Sequence, residues 1–144
     1  MSMLALTVLM TQIVMNKPNI NRDKAFEITT AISEHSETYG IPGNIMAAIA
    51  RVESSYNVGA VNERSSDYGL FQINEFNIKA YKLDRRKLLI DTNYSTEAGF
   101  KVFSWFYKTY PLEEAIMRYN CGTRKACINL PSVINYLKKV KKYL

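Results

Sequence analysis

An apolar repeat of helical period, Ile45, Ile49 and Val52, runs into the pair Glu53–Ser54 and is then cut off by a polar stretch from Asn57 to Asp67. Apolar residues four and three apart form one stripe on a helix, and Gly59 breaks any continuation of it. The run Tyr68–Asn74 then reads as a short strand or extended turn, paired with the preceding loop in a small hairpin. Everything around this corner is helical in pattern. Asp23 is placed to cap a helix running to Tyr39 and ending at Gly40. Pro42 suits a first helical turn. After a connector at Leu88–Thr92, an apolar helix spans Tyr94–Tyr110 and is stopped by Pro111. Leu112–Asn120 is a short helix ending at Gly122. Pro131 opens the last helix, with Val133, Leu137, Val140 and Leu144 as its apolar stripe and the lysines on the other face. The expected fold is mostly α, with a small β element between the Glu53 helix and the Gly69–Leu70–Phe71–Gln72 segment.

A chain of 144 residues is one domain's worth and buries a core without staples. Residues 1–22 read as an N-terminal helix or extension and 23–144 as the main core. Met1–Met15 is mostly apolar, but no Lys or Arg precedes the run and no small-x-small site follows it. We read it as a helix packed on the domain, with a divergent export or anchor segment as the alternative. No stretch reaches the length of uninterrupted apolar residues that spans a bilayer.

The net charge of +6 is unevenly distributed. Ala115–Leu144 holds no acid but carries Arg118, Arg124, Lys125, Lys138, Lys139, Lys141 and Lys142, which is +7, leaving about −1 for the rest. Such a face attracts an anionic wall or envelope surface, or is simply a solvated helix face. Charge alone, without a motif, does not make a nucleic-acid binder. Cys121 and Cys127 lie six apart with no third ligand near in sequence, so no metal or other cofactor is expected. A disulfide between them would contribute about 2 kcal/mol; two reduced thiols are the alternative.

Glu53 falls on the margin of its helix's apolar stripe. Partial desolvation disfavours the ionised carboxylate and raises its pKa, which suits a general acid near neutral pH. Cleaving a glycosidic bond needs such a proton for the leaving oxygen. The run Ile49–Asn57 with Glu53–Ser54, then Gly69–Leu70–Phe71–Gln72–Ile73–Asn74, then Tyr119–Asn120–Cys121–Gly122, resembles the soluble lytic transglycosylase family in order and spacing. A weaker likeness covers Asp91–Gly99. The resemblance spans about Ile41–Gly122 and implies a lysozyme-like α+β fold. It further implies a monomer that cleaves the MurNAc–GlcNAc bond of peptidoglycan and leaves 1,6-anhydromuramic ends. Glu53 is then the sole acid/base, assisted by Tyr119, with Ser54, Asn62, Gln72, Asn74 and Asn120 as the substrate-contacting set.

Three departures from the family pattern stand out: Arg118 stands where Ala is usual, Asn62 where Ser is frequent, and the pair Ser95–Thr96 where Asn–Ile is usual. Arg118 is expected to add charge near the cleft. Ser65–Asn74 also resembles the hairpin of animal-type lysozymes, in which the position of Asp67 is the second carboxylate. Asp67 is therefore a candidate catalytic residue for hydrolysis, or else a turn residue bonded to its own backbone. A phage lysin is the setting expected, with a periplasmic enzyme that opens the wall for a secretion machine as the alternative.

Overall fold

The structure, a computed structural model, describes residues 1–144. Its helices begin where side-chain oxygens satisfy orphaned backbone N–H groups. Ser2 caps α1 (Met3–Asn16) and Asn21 caps α2 (Arg22–Tyr39). Asp23 thus sits in the first turn of α2 instead of capping it. Asn21 offers the same kind of oxygen two residues earlier and accepts from Lys24 N at 3.0 Å. Gly40 closes α2 in the left-handed conformation, φ 66°. Pro42 stands one residue before α3 (Gly43–Ser54) and not within its first turn.

Ile45 to Ala50 are buried without interruption, so α3 is enclosed on all sides at its middle. In the same core lie Leu9 and Ile13 of α1, Ile28 and Ile32 of α2, and the rings of Phe71, Phe100 and Phe103. Three short strands follow: β1 (Val61–Asn62), β2 (Asp67–Tyr68) and β3 (Ile73–Asn74), antiparallel in that order. Asp67 stands opposite both Asn62 and Asn74 in the register.

The segment after the sheet differs from the sequence expectation. Asn74 caps a further helix, α4 (Glu75–Ala80), accepting from Asn77 N at 2.9 Å. The expected connector at Leu88–Thr92 is mostly helical: α5 (Arg85–Ile90) is capped by Asp84, and its Leu88 is fully buried. Asp91 then caps α6 (Thr92–Thr109), which begins two residues before the predicted start. Two caps seven residues apart make two helices of what apolar periodicity reads as linker. Phe100 and Phe103 of α6 are fully buried against the common core.

α7 (Leu112–Cys121) leads through a 3₁₀ turn (Lys125–Asn129) into α8 (Pro131–Lys142). Cys121 and Cys127 are joined by a disulfide, with Cα atoms 6.0 Å apart. The buried stripe of α8 is Val133, Tyr136 and Val140, whereas Leu137 is only partly buried and Leu144 is exposed. No helix is long and apolar enough to cross a membrane.

Candidate active site

The final turn of α3 presents Glu53 and Ser54 at the edge of the sheet. Ser54 Oγ donates to the Leu70 carbonyl at 2.7 Å and accepts from Asn57 N at 3.2 Å. Ser54 thus ties the helix end to the Gly69–Gln72 segment. Immediately afterwards Ser55 and Tyr56 have φ of 54° and 62°, and Gln72 has φ of 51°. Non-glycine residues in this region store strain that the surroundings must hold in place. Here three of them flank one carboxylate.

Gln72 donates both amide hydrogens, to the Ala60 carbonyl at 3.1 Å and the Gly69 carbonyl at 3.0 Å. What it offers the cleft is therefore its carboxamide oxygen. Ser95, one of the departures from the family pattern, is buried and accepts from Leu70 N at 3.1 Å. Tyr119 donates its hydroxyl to the Phe71 carbonyl at 2.6 Å and sets its ring edge-on to Phe103, centroids 5.9 Å apart. These bonds join α3, α6 and α7 to the Gly69–Gln72 turn that leads into β3.

Glu53 is the group whose environment is most unusual. Burial pushes its pKa up to about 8. A hydrogen bond donated by the Tyr136 hydroxyl to Oε2, at 2.8 Å, lowers it, and the charge of Asp67 adds to the rise. At neutral pH Glu53 is accordingly protonated, in the form a general acid requires. Tyr136 was not legible as a site residue. Its only signal is its spacing, three after Val133 and four before Val140, which puts it on the buried side of α8.

Asp67 is not a turn residue bonded to its own backbone. It lies in β2 and accepts from Ser65 Oγ at 2.6 Å. Burial raises its pKa and the Ser65 bond opposes that rise. Tyr119 is held well above the usual phenol range by burial and then by the charges of Glu53 and Asp67, so all three groups share one field.

Two cavities meet at Glu53 and share Val52 with it. The larger, ≈ 670 Å³, runs along Ser54, Asn62, Glu63 and Gln72. The smaller, ≈ 360 Å³, is walled by Asn120 and by Ser132, Asn135, Tyr136 and Lys139 of α8. Ser54, Asn62, Gln72 and Asn120 thus line the two cavities, while Asn74 lines neither and caps α4.

Two charges are placed differently from expectation. Arg118 adds nothing to the cleft surface: it is 5% exposed, paired with Glu114 Oε1 at 2.8 Å. It donates to the carbonyls of Gly122 and Arg124 at 3.2 and 3.1 Å and lies over the Tyr110 ring. Its guanidinium fork organises the disulfide loop behind Asn120. Lys139, expected on the outer basic face, instead borders the smaller cavity.

Tyr136→Phe tests this arrangement. The bond it removes favours the ionised carboxylate, so the pKa of Glu53 should rise further. The alkaline limb of a kcat/KM profile should move up by about 0.5–1 pH unit. An unmoved limb would show that the 2.8 Å contact does not act on Glu53.

A helical body, a three-stranded antiparallel sheet and one protonated glutamic acid between them define a lysozyme-like domain. The Transglycosylase SLT domain model matches residues 30–140, and the chain belongs to that family. Protein IpgF of Shigella flexneri is 35% identical over 94 residues, which cover 60% of this chain and 62% of IpgF. Invasion protein IagB of Salmonella typhi is 35% identical over 92 residues, 59% of this chain and 58% of IagB. The matched stretch is thus less than two thirds of either relative's length.

Proposed function

We propose that the chain cleaves the β-1,4 bond between MurNAc and GlcNAc in peptidoglycan as a lytic transglycosylase, with Glu53 as sole acid and base. The observation that carries this is the glutamic acid kept protonated at neutral pH where two cavities meet. Glu53 gives its proton to the bridging oxygen as the C1–O bond breaks. The neighbouring N-acetyl oxygen closes on C1 and takes up the positive charge. The Glu53 carboxylate then removes the C6 hydroxyl proton, and O6 bonds to C1 as the N-acetyl oxygen leaves. Glu53 ends protonated and no water is consumed. Tyr136 steadies the carboxylate between the two steps by its hydrogen bond. Tyr119 positions the Gly69–Gln72 turn rather than offering a proton, because its own goes to the Phe71 carbonyl.

The electrostatic coupling of Asp67 to Glu53 favours one second reading, hydrolysis with Asp67 as the stabilising carboxylate or nucleophile. Asp67→Asn separates the two. For a transglycosylase, activity remains measurable and products carry anhydro ends. The alkaline limb moves to lower pH, because the negative charge that raises the Glu53 pKa is gone. For a hydrolase, the change is nearly as damaging as loss of Glu53, and wild-type products carry reducing ends, heavier by one water in mass spectrometry. Dominant reducing ends would overturn the anhydro-forming reaction.

The relatives named above are from bacteria, and one is named an invasion protein. That favours a bacterial envelope over a phage lysate as the setting. The outer lysines would hold the domain on an anionic wall, with Lys141 shared with Glu113 at 3.4 Å.

A further inference from the structure

The smaller cavity beside Glu53 has a chemistry that an uncharged sugar chain does not call for. Four of its lining residues, Ser132, Asn135, Tyr136 and Lys139, come from α8 at spacings of three, one and three. That spacing sets them on one stripe along the helix. Tyr136 anchors the stripe on Glu53, and Lys139 stands one turn beyond it. Lys139 belongs to none of the ion pairs in the structure, whereas its neighbour Lys141 reaches Glu113. The only acid on the cavity wall is Glu53, which already accepts from Tyr136. An ammonium group without a counter-charge therefore borders a polar cavity furnished with two carboxamides, Asn120 and Asn135, and the Ser132 hydroxyl. The larger cavity differs, for it holds both Arg51 and Glu63, and Arg51 is committed to the Asn16 carbonyl at 2.8 Å and the Tyr143 ring.

We infer that this cavity is a carboxylate subsite, in which Lys139, with Asn135 and Ser132, receives an anionic group on the 3-O-lactyl arm of a muramic residue. The inference rests on the proposed peptidoglycan substrate. Of the two alternating sugars only the muramic one carries such an arm. Its carboxylate is either the lactyl group's own or one on the attached peptide. A strand whose carboxylates meet Lys139 is thereby set in register, with a muramic residue on the α8 side of Glu53. Lys139 is a specificity-determining residue in this account, and its effect falls on binding.

The test uses the full chain carrying Glu53→Gln, so that strands bind without being cut, with and without Lys139→Gln and Lys139→Arg. Affinities are measured by calorimetry for three soluble strands of equal length: peptide-bearing glycan, amidase-trimmed glycan with free lactyl carboxylates, and neutral chitooligosaccharide. The anionic strands should bind about fivefold more tightly than the neutral one, the scale of a partly exposed charge-assisted hydrogen bond. Lys139→Gln should erase that ratio and Lys139→Arg should keep it. Added salt should erode it, since exposed charges are screened beyond about 10 Å at 0.1 M. Whichever anionic strand loses more affinity identifies the carboxylate. A ratio untouched by Lys139→Gln, or equal losses on charged and neutral strands, would overturn the subsite. If none of the three strands binds, the peptidoglycan reading itself has failed.

Discussion

Glu53→Gln is expected to lower peptidoglycan turnover by about 10³-fold or more, the scale of a lost general acid and base, while the fold and glycan binding survive. The carboxamide is close in shape to the protonated acid and still accepts the Tyr136 hydroxyl, the one hydrogen bond the side chain makes to another side chain. The variant should also change how stability depends on pH. A carboxyl whose folded pKa is raised from 4.5 to about 8 keeps its proton where the unfolded chain has lost it. Wild-type stability therefore falls as pH rises from about 4.5 through about 8, since the folded state binds more protons over that window. Glu53→Gln should lack this decline, so its Tm should match wild type in acid and exceed it at pH 9. Clearing of purified walls at the wild-type rate by the folded variant would remove Glu53 from the mechanism.

Gly69→Ala should be strongly damaging although the residue has no side chain with which to touch a substrate. Its φ is +86°, and an added Cβ would stand 2.5 Å from the Leu88 carbonyl oxygen and 2.7 Å from Ser95 Oγ. Neither is the loose end of a flexible side chain, and Ser95 is occupied in accepting from Leu70 N. Strained backbone and overpacking together should cost about 2–4 kcal/mol. The loss should appear as a lower urea midpoint. Activity should fall further than stability explains, because the Gly69 carbonyl holds Gln72 and the Leu70 carbonyl holds Ser54. A variant with wild-type midpoint and turnover would mean the turn relaxes freely.

The main helices and the corner after Glu53 were legible from order and spacing, whereas Gln72, Tyr119 and Asn120 were singled out by resemblance to the family's motifs and Glu53 by both. The reason is local: apolar periodicity, caps and breakers act within a few residues, and the motif residues lie within or beside them. The short helices α4 and α5 were less legible, because six residues give periodicity too little length to register. Asn74 shows a related limit, since one carboxamide serves equally as a helix cap or a ligand until the next turn is placed.

Tyr136 and Lys139 depended on the tertiary structure. Tracing the α8 stripe through Leu137 instead of Tyr136 shifts its centre by about 40°, since Val133 and Val140 belong to both, and places Lys139 on the far face instead of at the stripe's margin. Only the packing of α8 against α3 brings Tyr136 to Glu53, across 83 residues of sequence. Arg118 reads by type as a surface charge and is buried because Glu114 and two loop carbonyls close around it. The carboxyl and its motif are written locally in the chain. The pKa of that carboxyl, and the charge facing the cavity beside it, arise from burial and neighbours that exist only once the distant helices have docked.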